Sequence, residues 1–181
     1  MSHRRLTRDL LVAHAIEVLE ETGPAGFSGR EVARRAGVSH KALARHFASG
    51  GALLGDAAAR GFGDLFERIV LAKHRTIGGP EDERLRVALA YLEFARDRPA
   101  MFDLMYSNGP AEGSEELDRA RDAVFLLMAA SCVSSQEGEE TPPSGTWAWA
   151  GVHGLALLMS RGIIDELSGE DLRDTLRRQL P

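Results

Sequence analysis

The sequence predicts an all-α chain of about nine helices: an N-terminal three-helix bundle carrying a helix-turn-helix, then a larger helical body. Three observations predict it. Apolar residues recur at steps of three and four along most of the 181 residues. Runs of β-branched residues alternating with polar ones are missing, while Ala, Leu, Arg and Glu dominate. Serines stand before the periodic segments and glycines after them, as helix starts and stops require. A hydrophobic fraction of 44% supplies a core.

The first helix is expected over Leu6 to Glu21, with Leu11, Ala15, Val18 and Leu19 forming one apolar stripe, and Gly23-Pro24 ending it. Ser28 opens the second, and Glu31 three residues on makes Ser28-Gly29-Arg30-Glu31 a capping box. Gly37 supplies the left-handed stop. Ser39 caps a third helix, His40 to Phe47, with Ala42, Leu43 and Phe47 inward. Two short capped helices separated by Gly-Val make a helix-turn-helix pattern. The fourth helix spans Gly51 to His74, the fifth Glu81 to Arg96, and the sixth Pro99 to Tyr106 with proline in its first turn. Ser114 caps a seventh helix to Val133. Polar residues Ser134 to Ser144 form a mobile loop. The eighth helix runs Gly145 to Ile164, and Ser168 caps a ninth. The expected domains are 1–50 and 51–181.

Net charge is −5, yet it is unevenly spread. Residues 1–50 hold 8 Arg and Lys against 5 Asp and Glu; the rest hold 14 against 22. A basic head on an acidic body is expected when only one end meets phosphates. No apolar run approaches the roughly 18 to 20 residues that span a bilayer. The start lacks a small-residue cleavage site, so the expectation is a cytoplasmic chain with no membrane contact. The single Cys132 makes no intramolecular disulfide and reads as a buried small hydrophobe.

Reading bases in the major groove needs donors and acceptors near the start of an exposed helix face. From Ser39 to His46 the positions off the core stripe are His40, Lys41, Arg45 and His46. His40 and Lys41 fall in the first turn and are the candidates for base edges. Arg45 and His46 lie further along, placed for phosphates or a flanking base. Arg4 and Arg5 are candidates for an arm along the DNA backbone.

The stretch Ser28-Gly29-Arg30-Glu31-Val32-Ala33-Arg34-Arg35-Ala36-Gly37-Val38-Ser39, with Ala42-Leu43, His46-Phe47 and Ala52-Leu53-Leu54, resembles the DNA-binding domain of the TetR (TetR/AcrR) family of regulators. The match runs without a gap over some 50 residues. The resemblance implies that Ser28 binds phosphate through its hydroxyl and backbone N–H, and that Arg30 reaches phosphate or base. Two departures stand out. Ala44 replaces a common Tyr, and Gly50-Gly51 replace a common Lys-Glu. Tyr and Lys there contact phosphates, each contact worth about 1 to 2 kcal/mol. Either Arg45 compensates, or affinity leans more on the dimer.

Trp149-Ala150-Gly151-Val152-His153-Gly154-Leu155 resembles the Trp…His-Gly (WHG) signature of one TetR ligand-domain subgroup, and Tyr91-Leu92-Glu93-Phe94-Ala95 with Pro99, Phe102, Asp103, Leu104 and Met105 fits that subgroup. Aromatic and Met side chains suit an adaptable apolar pocket. The candidate effector-binding residues are Tyr91, Phe94, Phe102, Met105, Tyr106, Phe125, Met128, Trp149 and His153. The resemblance implies that the last two helices pair two subunits, with Gly151, Gly154, Leu155, Leu158, Leu172 and Leu176 as candidate contacts. Two heads about 34 Å apart read successive major grooves of a palindrome, which one head lacks the contacts to hold.

The expected function is a homodimeric regulator, a repressor released from operator DNA by a small apolar or amphipathic effector. No cofactor or metal is expected. The sequence carries no nucleophile–base pairing, phosphate loop or metal-ligand spacing, and no Glu-x-x-His repeat of a di-iron bundle, so an enzyme is not expected. A second reading stays open: a family member without DNA binding that serves as a helical interaction module, favoured by Ala44 and Gly50.

Overall fold

The computed structural model describes residues 8–74, 80–106, 109–131, 144–164, 174 and 176. Among the described residues the secondary structure is helical throughout: α1 (Arg8–Gly26), α2 (Gly29–Arg35), α3 (His40–Leu43), α4 (Gly50–Lys73), α5 (Pro80–Asp97), α6 (Pro99–Tyr106), α7 (Glu115–Ser131) and α8 (Ser144–Ser160). Residues 174 and 176 are helical as well. The rest of the expected ninth helix, the loop 134–143, Cys132, Leu172, Arg4 and Arg5 lie outside the described residues.

The chain divides into two units, Met1–Phe62 with Ala100–Ala120, and Gly63–Pro99 with Arg121–Pro181. In the first, the predicted stripe of α1 is buried: Leu11, Ala15, Val18 and Leu19, joined by Val12. They meet Val32 and Ala33 of α2, Leu43, Phe47 and the start of α4 in an apolar centre. Gly23 breaks the helical path of α1 (φ 68, ψ 170), and one further turn runs to Gly26. The stop therefore falls at the predicted glycine, but the helical assignment extends past it.

The capping box does not form. Ser28 has extended backbone at the N-cap position but makes no side-chain cap. Glu31, which would have returned the second bond, is held by Arg34 (2.7 Å) and Arg35 (2.8 Å). Two charge-assisted partners outcompete one backbone N–H for the same carboxylate. Gly37 adopts φ 69, and the chain turns there with Val38 N–H donating to the Ala33 carbonyl at 2.9 Å. Ser39 does cap: its hydroxyl accepts from Ala42 N–H at 3.1 Å. The α-helical part of α3 ends at Leu43, short of the predicted Phe47. Residues 44–46 continue as a tighter turn, with Arg45 N–H reaching Ala42 O and His46 N–H reaching Leu43 O.

In the second unit α5 packs on α8. Tyr91, Leu92, Phe94 and Ala95 are buried on α5, and Val152 and Ala156 on α8. Ion pairs fasten α5 to the part of α4 in this unit: Arg68 to Asp97 at 2.8 Å, Arg98 to Asp64 at 2.7 Å and Lys73 to Glu83 at 3.4 Å. No described helix is long and apolar enough to cross a membrane.

Candidate functional site

α2 and α3 are short, so each is fixed by its neighbours more than by its own hydrogen bonds. Val32, Ala33, Leu43 and Phe47 anchor the pair to the core. Arg8 at the start of α1 locks the far end of α3. Its guanidinium lies 4.3 Å from the centre of the Phe47 ring, donates to the His46 carbonyl at 2.9 Å, and forks onto the Asp56 carboxylate of α4 at 2.6 and 2.8 Å. The hydrogen bond with Asp56 raises the Arg8 pKa further. Sequence reasoning missed this role. The partners are 48 residues apart, and nothing local to Arg8 names Asp56.

With the helices seated, the inward and outward residues separate. His40, Lys41 and Arg45 are exposed, as is Arg30. His46 is half-buried with its carbonyl engaged by Arg8. Ser39 is exposed with its hydroxyl committed to capping. A cleft of about 500 Å³ runs between the start of α2, one face of α3 and the start of α4. Ser28, Arg30, His40, Ala44, Ser49 and Gly50 line it. Of the predicted DNA-contact residues, Ser28, Arg30 and His40 thus share one recess. Lys41 and Arg45 stand beside it on exposed positions four residues apart, one helical turn.

Pairing sorts the cations of this head into two sets. Arg35 bridges Glu21 of α1 (2.6 Å) and Glu31 of α2 (2.8 Å), and Arg34 also binds Glu31. Hydrogen bonds from Arg34 and Arg35 hold the Glu31 carboxyl down to about 2, and the one from Arg35 lowers that of Glu21. Arg35 holds α2 against α1, and Arg34 is taken up by Glu31 within α2. Arg30, Lys41 and Arg45 have no ion-pair partner among the described residues, so their charge is available to an outside anion. Simple charge counting could not make this division.

Gly50 and Gly51, read as departures, have different surroundings. Gly50 has open space where a Cβ would stand. At Gly51 a Cβ would lie 2.7 Å from Glu112 Cγ and 2.8 Å from the Pro110 carbonyl oxygen. The segment joining α6 to α7 sits directly on the first turn of α4. Glu112 N–H donates to the Gly51 carbonyl at 3.0 Å, and the Glu112 carboxylate accepts from the Ser49 hydroxyl. Ser49 also caps α4, accepting from Ala52 N–H at 2.9 Å.

The predicted effector residues fall into two groups. Phe102 and Tyr106 of α6 meet in the first unit with tilted rings, their centres 4.8 Å apart, with Tyr106 edge-on to Phe62 of α4. Met105 is buried there too. In the second unit Tyr91, Phe125, Trp149 and His153 come together. His153 stacks on Trp149 at 5.2 Å, Phe125 meets Trp149 edge-on at 5.2 Å, and Tyr91 Oη shares a hydrogen bond with His153 Nδ1 at 2.8 Å. Burial pushes the His153 imidazole below its usual range. Trp149 Nε1 is buried with no acceptor among the described residues. Phe94 packs under the Arg98 guanidinium, and Met128 is buried on α7.

Opposite this cluster, α8 turns Trp147, Gly151, Gly154 and Leu158 to one side. Trp147 is 69% exposed and Leu158 39%. Among the described residues, a Cβ at Gly151 or Gly154 would meet nothing within 4 Å. Leu155 lies half-buried at the edge of this face. Leu176, expected at a subunit contact, is only 4% exposed within the single chain.

Two short helices joined by a turn at Gly37, an exposed basic face and a helical body define the class of helix-turn-helix regulators. The chain belongs to the TetR family of bacterial transcriptional regulators: residues 85–180 match the family model described as tetracyclin repressor-like, C-terminal domain, and residues 11–57 that of bacterial regulatory proteins, tetR family. A protein of unknown function from Rhodococcus sp. RHA1 has a similar structure, with a TM-score of 0.81 and 29% identity over 99% of this chain and 98% of its own. A transcriptional regulator from the same source aligns with a TM-score of 0.69 and 24% identity over 97% and 94% of the two chains. A TetR variant from Acinetobacter baumannii AYE in complex with minocycline aligns with a TM-score of 0.60 and 18% identity over 97% and 93%. The last two likenesses speak to the fold alone. No curated protein matches the chain in sequence.

Proposed function

We propose that the chain is a homodimeric repressor that binds a palindromic operator through α3 and is released by a small apolar or amphipathic effector. The observation that carries the reading is the exposed set Arg30, Lys41 and Arg45, without an ion-pair partner among the described residues, with Arg30 lining a recess that also holds His40 and Ser28. Such an arrangement offers phosphate-binding charge and base-edge donors together. His40 and Lys41, in the first turn of α3, read bases. Arg45, Arg30 and Ser28 hold the backbone, with Arg4 and Arg5 extending along it.

The effector site centres on Tyr91, Phe125, Trp149 and His153. An orphaned indole N–H costs about 1 to 3 kcal/mol, which an acceptor on the ligand recovers. Its neighbours are aromatic, and the imidazole is neutral near pH 7, so a flat compound with one hydrogen-bond acceptor fits best. The minocycline bound by a family relative is consistent with a flat, acceptor-bearing ligand. Subunits pair through the Trp147, Gly151, Gly154 and Leu158 face of α8.

The test is a mobility-shift titration on the DNA upstream of the chain's own gene. His40→Ala and Lys41→Ala are expected to weaken binding by about fivefold to 150-fold each, one base contact being worth about 1 to 3 kcal/mol, while the dimer persists in solution. Footprints identical to wild type for both variants would refute the assignment. The recess left by Ala44 and Gly50 favours a second reading, a family member that has given up DNA. A folded wild-type dimer that shifts no duplex at low salt would establish it instead.

A further inference from the structure

We propose that Glu112 is a built-in competitor for the DNA backbone: its carboxylate holds the Ser49 hydroxyl at the amino end of α4, where a phosphate would otherwise bind. The inference rests on the DNA-binding reading and adds an affinity-setting residue from outside the helix-turn-helix. Ser49 lines the same cleft as Ser28, Arg30 and His40. A phosphate settling on that wall needs the hydroxyl and the free N–H groups of the first turn of α4, the groups a carboxylate also seeks. Two anions cannot share them without strong repulsion.

The seat for Glu112 is built into the sequence. The Glu112 backbone is tied to the Gly51 carbonyl at 3.0 Å. Side chains at Gly51 or Gly55 would collide with it, the first with its Cγ and the second with its carbonyl oxygen. Among the described residues no cation pairs with the Glu112 carboxylate, so its charge stands unneutralised beside the cleft. More acid follows on the first turn of α7, with Glu115, Glu116 and Asp118. At the amino end of α4 this chain has glycines, Gly51 and Gly55, that admit the segment carrying the carboxylate.

The experiment compares wild type, Glu112→Gln, Glu115→Gln and Gly51→Ala for binding to a short random-sequence duplex, by anisotropy across a salt series, with melting curves confirming the fold. Gln keeps an acceptor for Ser49 but removes the charge. Glu112→Gln is expected to bind about fivefold tighter or more, the effect of one unit charge at contact distance in water, with a salt slope steeper by about one as a phosphate contact is gained. Glu115→Gln makes the same change in net charge on an 86% exposed side chain and is expected to change affinity less than about twofold. Gly51→Ala changes no charge but displaces the segment, and is expected to tighten binding as well. Equal affinities for Glu112→Gln and Glu115→Gln, or weaker binding by Gly51→Ala, would overturn the proposal while leaving the DNA reading intact. If folded wild type and Glu112→Gln both fail to bind, the DNA reading itself falls.

Discussion

At the scale of single residues, Arg8 and His153 show how one side chain fixes a site from a distance. Arg8 is not itself a nucleic-acid candidate, yet it holds the His46–Phe47 corner through a ring contact, a carbonyl and a carboxylate. The ion pair is partly open to solvent and the cation–π contact is worth about 0.5 to 1 kcal/mol. Arg8→Ala is therefore expected to lower the melting temperature by about 2 to 4 °C. His153 is a base whose pKa is lowered by burial. The unfolded chain protonates it near its ordinary value of about 6.5, while the folded chain resists. The unfolded state thus binds more protons between the two pKa values, and stability falls as pH drops through about 6.5 toward the folded value. Melting curves between about pH 7.5 and 5.5 are expected to show this slope, reduced in His153→Asn. An unchanged slope in that variant would place the pH dependence elsewhere.

At the scale of elements, what was legible and what was not divides by sequence distance. Local signals were readable: the apolar stripe of α1, the Gly37 turn, the Ser39 cap, Pro99 opening α6, and the Ser114 cap that accepts from Leu117 N–H. The Ser28 capping box failed because a cap competes with any stronger partner its residues find, and Glu31 found two arginines on its own helix. The links Arg8 to Asp56 and Ser49 to Glu112 span 48 and 63 residues, and no periodicity encodes them. The Gly50-Gly51 departure was visible, but its two halves differ for reasons only packing reveals. Gly50 has room for a side chain, so Gly50→Lys is expected to tighten DNA binding about threefold to tenfold by adding one backbone contact. Anisotropy on the same duplex checks this, and no gain would mean the amino end of α4 stays away from the phosphates.

At the scale of the whole molecule, an operator needs two heads, and the open face of α8 is where a second copy docks in this account. Trp147, Gly151, Gly154 and Leu158 give a large anchor, a close-approach surface and an aliphatic edge on one helix face. Because among the described residues nothing within 4 Å limits a side chain at Gly154, Gly154→Glu is expected to leave the single chain folded. It is expected to shift the species in sedimentation from dimer to monomer without lowering the helical content, and to cost at least about a hundredfold in operator affinity, as the second head no longer binds intramolecularly. A variant that stays dimeric would move the interface to another face.

The central claim is that α3 delivers His40, Lys41 and Arg45 to a major groove twice per dimer. Selection of duplexes from a random pool by the purified chain tests it most directly. The account predicts enrichment of a pseudo-palindrome whose half-sites lie about 10 base pairs apart or a multiple of that, and loss of the enriched sequence when His40 and Lys41 are replaced by alanine. A folded dimer that enriches no sequence, or enriches the same one without His40 and Lys41, would contradict it.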